Sequence, residues 1–229
     1  MTNDLDSRAL GRADCFGQRF MRPGDYPYDI VPAYGAALAR DRPFLVRASE
    51  KGRKRDKGGK REMEQHNIAV ASHGGRFSAD RKVVEIDVGD MVMWNGGAGG
   101  QPFAVVGEHD FFSSHRMVNE CGYSHAFGTA GDYRWADAHG SGLSGHIRVR
   151  DPGCRTDADL KRWREALAEG TLVTITDGKA DQSELEILTG QTVFFLVVTG
   201  PGISITDERL IEIGSYTKGC TEAAASSSR

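Results

Sequence analysis

Asp137-Ala138-His139-Gly140-Ser141 places a carboxylate, an imidazole and a hydroxyl within five residues. Those types serve a Ser–His–Asp relay, and the first two also suit copper, zinc or iron as nitrogen and oxygen ligands. Adjacency in one loop does not create relay geometry, which needs the three groups to meet in space. No G-x-S-x-G, H-E-x-x-H, P-loop or nucleotide-binding glycine motif stands in the context it needs. Hydrolysis and phosphoryl transfer are therefore not supported. Gly107-Glu108-His109-Asp110 and Ser114-His115 are two further polar loops. His125 alternates with Tyr123 and Phe127, which puts it on an inward face, either as a hydrogen-bonded core residue or as a third ligand. His66 and His73 have no chelating partner nearby in sequence and read as surface or turn residues. Cys15, Cys121, Cys154 and Cys220 form no C-x-x-C and read as free thiols.

The elements that must carry these groups are strands. Val84, Ile86 and Val88 alternate with Glu85 and Asp87, and Gly89-Asp90 turns the chain. Met91 to Trp94 is an apolar run ended by Asn95-Gly96-Gly97, and Phe103 to Val106 is another. Tyr123, His125 and Phe127 share one strand, and Tyr133 and Trp135 lie on the next. Ile147 and Val149 face inward, with His146 and Arg148 outward. Apolar–polar alternation bounded by Gly and Asn is the strand signal, and many short strands make a sandwich or barrel.

Val88-Gly89-Asp90-x-Val92-x-Trp94-x-Gly96, Phe112-Ser113-Ser114, Phe127-x-x-x-Gly131-x-Tyr133-x-Trp135 and His139-x-x-x-Leu143-x-Gly145-x-Ile147-x-Val149 occur in that order. The order resembles the cupredoxin family, the plastocyanin-like and azurin-like blue copper proteins, over roughly ninety residues. The resemblance implies an all-β, Greek-key sandwich and a copper site of two His, one Cys and a Met. This chain departs from that ligand pattern. Pro102-Phe103 stands where the first His belongs, Asp137 falls near the Cys position, His139 matches the second His, and Leu143 takes the Met place. Without a thiolate no blue centre is expected. Two uses of the position follow: a remodelled copper, zinc or iron site on His139, Asp137, His125 and His109, or a small-molecule pocket lined by Phe103, Trp135 and Leu143. The favoured expectation is no cofactor and no catalysis, in an accessory or subunit protein that works through contacts with a protein partner or a second copy of itself.

The same reading divides the chain. Residues 1–65 are an N-terminal extension, irregular over 1–25, with strands expected at Tyr26–Val31 and Phe44–Ala48, a short helical turn at Ala33–Arg40 and a basic hairpin loop, and 66–152 are the cupredoxin-like domain. Residues 153–170 hold a linker helix, opened by Thr156-x-x-Asp159 and striped by Leu160, Trp163 and Leu167. Residues 171–217 resemble the opening half of a second cupredoxin: they echo the stretch from Ile68 to Trp94 and contain no His. That half repeat must dock elsewhere, because three strands cannot close a sandwich. Residues 218–229 are a small polar tail. The basic loop from Lys51 to Arg61 has seven cationic residues against one Asp, but no interleaved aromatics, and reads as a solvated tip rather than a nucleic-acid site. A net charge of −3 marks neither a nucleic-acid nor a membrane specialist. No apolar run spans a bilayer and the first residues lack a signal-peptide pattern, so the expected compartment is the cytoplasm.

Overall fold

Strands form where that alternation runs, and β-branched and aromatic residues fill their inward positions. The computed structural model describes residues 4–33, 42–50, 63–97, 100–108 and 111–211. The basic loop, the short turn expected at 34–40, His109 and the polar tail lie outside these residues.

Sixteen strands follow in order. The first eight are β1 Asp14–Arg19, β2 Gly24–Pro32, β3 Phe44–Ser49, β4 Gln65–His73, β5 Arg76–Ala79, β6 Val83–Asp87, β7 Met91–Gly96 and β8 Phe103–Gly107. Then come β9 Met117–Ala126, β10 Gly131–Ala136 and β11 Ser144–Arg150, a helix α1 Asp157–Glu169, β12 Thr171–Thr176, β13 Lys179–Ala180, β14 Glu184–Leu188, β15 Thr192–Ile203 and β16 Thr206–Asp207. Among the described residues the protein is all-β apart from α1 and a short helical segment at 208–211, as the alternation predicts.

The pairing repeats itself. β7 joins β1 antiparallel and β4 parallel, while β5 flanks β4; β15 joins β9 antiparallel and β12 parallel, while β13 flanks β12. A second sheet runs β6-β3-β2-β8 in one set and β14-β11-β10-β16 in the other. Each set of eight strands is a complete sandwich. β1 then pairs β9, so the two larger sheets fuse into one of eight strands, β13-β12-β15-β9-β1-β7-β4-β5.

The likeness extends to single bonds. Gly89 N donates to Phe20 O at 2.8 Å and Gly190 N donates to Phe127 O at 2.7 Å. Both glycines hold φ near +90°, which residues with a Cβ rarely adopt. Asp25, Arg47 and Glu85 form a surface ion-pair ladder that Asp132, Arg148 and Glu186 repeat.

Three expectations are corrected here. The segment 1–25 is not irregular: β1 is a central strand, and Leu5 and Leu10 are fully buried. Its pattern is hidden because the inward positions of β1 alternate Asp14, Phe16 and Gln18, two of them polar. Residues 66–152 do not close on themselves. None of β4–β8 pairs with any of β9–β11; the former complete a sandwich with β1–β3, the latter with β12–β16. The repeat at 171–217 is consequently not a half, since its missing strands lie upstream at 117–150.

The cores are aromatic. Phe16 stacks on Trp94 at 5.6 Å, and Trp94 meets Tyr28 and Phe112. In the second sandwich Trp135 meets Phe195 edge-on at 5.2 Å, and Tyr123 stacks on Phe195. The helix starts with the expected capping box, Thr156 and Asp159 each accepting from the other's backbone N–H. It buries no residue and is tied to the β14–β15 turn by Trp163 Nε1–H to Thr189 O and by Gln191 Nε2–H to Ala166 O. No helix among the described residues is long and apolar enough to cross a membrane.

Candidate functional site

Asp137 and His139 sit in the β10–β11 loop, and they do not converge as ligands. Asp137 Oδ1 accepts from Ser204 N at 2.8 Å and from His139 N at 3.1 Å; Oδ2 accepts from Ser141 N at 2.9 Å. The carboxylate thus caps backbone groups of its own loop and of the β15–β16 connection. His139 turns away, its Nε2 lying 2.8 Å from His115 O. Burial pushes the Asp137 carboxyl up, but the N–H groups of Ser204, Ser141 and His139 outweigh it and hold the group below the usual carboxylate range. A depressed folded value stabilises the protein above the unfolded carboxyl range, and that stability is lost as pH falls through the folded value. Asp137→Ala is therefore expected to cost roughly 2–4 kcal/mol at neutral pH, through buried donors left unpaired. Urea titrations at pH 7 and pH 3 check this, and the gap from wild type should narrow at the lower pH.

The three expected pocket residues belong to two different sandwiches. Phe103 on β8 packs beside Phe77 and bonds through its backbone to Leu10. Trp135 and Leu143 are core residues of the second sandwich.

His125 is on the inward face, as its parity predicts, at the seam between the repeats. Asp14 Oδ1 lies 2.6 Å from His125 Nδ1 and accepts from Tyr123 Oη at the same distance. Asp14 Oδ2 accepts from Gly11 N at 2.6 Å, and the Tyr123 oxygen accepts from Asp6 N at 3.1 Å. Asp14, Tyr123 and His125 are all buried, and His125 Nε2 has no hydrogen-bond partner. Burial, then the Asp14 charge, pushes the Tyr123 phenol well above its ordinary range. The cluster contains the groups of an acid–base relay, all of them buried, and its hydrogen bonds join β1 to β9. Sequence reading missed Asp14, since nothing local marks a residue 111 positions from its His as a partner.

Two of the thiols are equally closed to chemistry. Cys15 and Cys121 are buried, and burial pushes both up to about 12, away from the reactive thiolate. Cys154 is exposed.

His66, read from sequence as a surface or turn residue, gathers with two carboxylates. The parallel pairing of β4 with β7 brings their first ends side by side. Glu64 and His66 come from one strand end and Asp90 from the other; one ligand-type atom from each lies within 4.8 Å of the other two. Asp90 is fully buried, His66 partly so, and His66 Nε2 is 3.3 Å from Asp90 Oδ2.

The broadest feature is the outer face of the eight-stranded sheet. Residues paired across strands share a face. Phe16, Trp94, Tyr123 and Phe195 occupy the inner one, so both smaller sheets pack on the same side. One residue along, Met93, Gly17, Gly122 and Leu196 form a row on the opposite side, and Cys15, Ser124, Phe194 and Leu172 form the next. A Cβ on Gly17 would lie 2.5 Å from Met93 Sδ, and one on Gly122 2.5 Å from Phe194 Cζ. The two glycines therefore let those side chains lie flat. Leu172 is 49% exposed, and Met93, Phe194, Leu196 and Val198 are partly so. Among the described residues α1 packs chiefly against β14.

No protein-family model matches the chain, and no curated protein and no solved structure matches it. What the protein does must be read from these groups themselves.

Proposed function

We propose that this is a non-catalytic accessory or subunit protein, built of two cupredoxin-like Greek-key sandwiches, that works through protein contacts. The observation that carries the reading is the outer face of the eight-stranded sheet. Antiparallel sheets normally present polar residues on a solvated side. Here the central strands instead present Met93, Phe194, Leu196 and Val198, each partly exposed. An apolar patch of this kind marks an interaction surface. The strand order of each sandwich supports the cupredoxin-like reading, if the last three strands of that fold are placed before the first five.

The groups that could do chemistry support a non-catalytic role. Asp137 spends both oxygens on backbone donors, the Asp14 relay is sealed, and two thiols are held protonated. A remodelled copper, zinc or iron site on Asp137 and His139 gains no support from that geometry.

The partner proposed for this face is a second copy of the chain. Sedimentation of the full chain should show a concentration-dependent dimer, and Met93→Glu with Leu196→Glu should give a monomer with an unchanged circular dichroism spectrum. A wild-type monomer at all concentrations, as soluble as the double variant, would overturn the reading.

A further inference from the structure

We infer that Glu64, His66 and Asp90 form a binding site for a divalent first-row metal ion of the zinc class, at the β4–β7 edge of the first sandwich. One imidazole and two carboxylates suit zinc, iron or manganese. Their ligand atoms converge within 4.8 Å. The 3.3 Å from His66 Nε2 to Asp90 Oδ2 is long for a charge-assisted hydrogen bond, which favours about 2.7–2.9 Å. It equals roughly the ligand–ligand edge around a tetrahedral ion with bonds of about 2.0–2.1 Å.

The second repeat shows what the fold alone requires at this place. Asp90 Oδ2 accepts from Asp87 N at 3.0 Å to close the turn after Gly89, and Oδ1 accepts from Glu64 N. After Gly190 the same turn is closed by Gln191, whose Oε1 accepts from Leu188 N at 2.6 Å. A neutral amide therefore suffices for the turn. His66 pairs with Val92 in the first repeat, and Thr171 holds the same register against Val193 in the second. The fold needs neither the Asp90 charge nor the imidazole. Both are found together in the first repeat, converging with the Glu64 carboxylate.

The same comparison supplies the variants. H66T and D90Q insert residues with which the second repeat already builds this turn, so the fold should survive. The full chain, with Cys154 and Cys220 replaced by Ser and stripped with chelator, is titrated with zinc by calorimetry. One ion per chain is expected, with a rise in melting temperature. H66T and D90Q should each weaken binding roughly tenfold or more and remove that rise, while H139A should bind as the parent does. In the parent, zinc should also shift the His66 ring resonances in NMR spectra, which reads the site even if a variant folds poorly. No stoichiometric binding, binding retained in both H66T and D90Q, or unmoved His66 resonances would each overturn the inference and identify the cluster as a hydrogen-bonded His–Asp pair only.

Discussion

A chain cut before Thr171 is expected to yield no soluble folded protein. The cut removes β12–β16, and with them five of the eight strands of the second sandwich. Val173, Ile175, Ile187, Val193, Phe195, Val197, Ile203 and Ile205 are each at most 4% exposed. At about 1.5–3 kcal/mol per buried side chain, the eight represent roughly 12–24 kcal/mol as an upper estimate. That matches or exceeds the 5–15 kcal/mol typical of a whole domain. The loss also strips β15 from β9, leaving β9 as an open, apolar edge beside β1. Fractionation after expression and circular dichroism of any soluble material measure the effect. A truncated protein that is soluble and cooperatively folded would show that β9–β11 need no partner strands.

Asp14→Ala is the point substitution expected to cost most at the seam. It removes the acceptor of the Tyr123 hydroxyl, of His125 Nδ1 and of Gly11 N, where Tyr123 and His125 are at most 1% exposed. Buried polar groups that lose their partners carry their full desolvation cost, so roughly 3–5 kcal/mol is expected. Asp14→Asn keeps an acceptor oxygen and should cost less. The seam role also predicts coupling: Asp14→Ala with His125→Leu should cost less than the sum of the singles, by about 0.5–3 kcal/mol, as for residues in direct contact. Denaturant titration of the four proteins closes the cycle, and strict additivity would show that the pair does not act as a unit.

Much of this architecture was legible in the sequence. Period-two alternation located β6, β10 and β11, because one face of each strand is buried and the other largely is not, and an apolar run ended by Asn95-Gly96-Gly97 located β7. Thr156-x-x-Asp159 located the helix start, since a capping box uses only groups three residues apart. Parity placed His125 inward, and it is buried. The repetition was also visible, as the echo of the stretch from Ile68 to Trp94 by the residues after Leu172.

What only the tertiary structure decided is which strands close with which. The run from β4 to β11 reads as one continuous sandwich, yet its two halves belong to different ones. β1–β3 and β9–β11 are equivalent segments, and local periodicity fits either as the complement of β4–β8. The choice lies in contacts between residues far apart in sequence, such as Phe16 on Trp94 and Trp135 on Phe195. The polar groups follow the same rule. Asp137 and His139 looked like ligands because they fall at the Cys and second His positions of the resembled pattern, but the backbone N–H groups of Ser204, Ser141 and His139 claim the carboxylate. Glu64, His66 and Asp90 looked unrelated because 24 residues separate the last two, and they meet only because β4 and β7 run parallel, side by side. Sequence patterns record the burial of one strand's faces; parallel neighbours and buried hydrogen bonds depend on partners that the chain must fold to bring together.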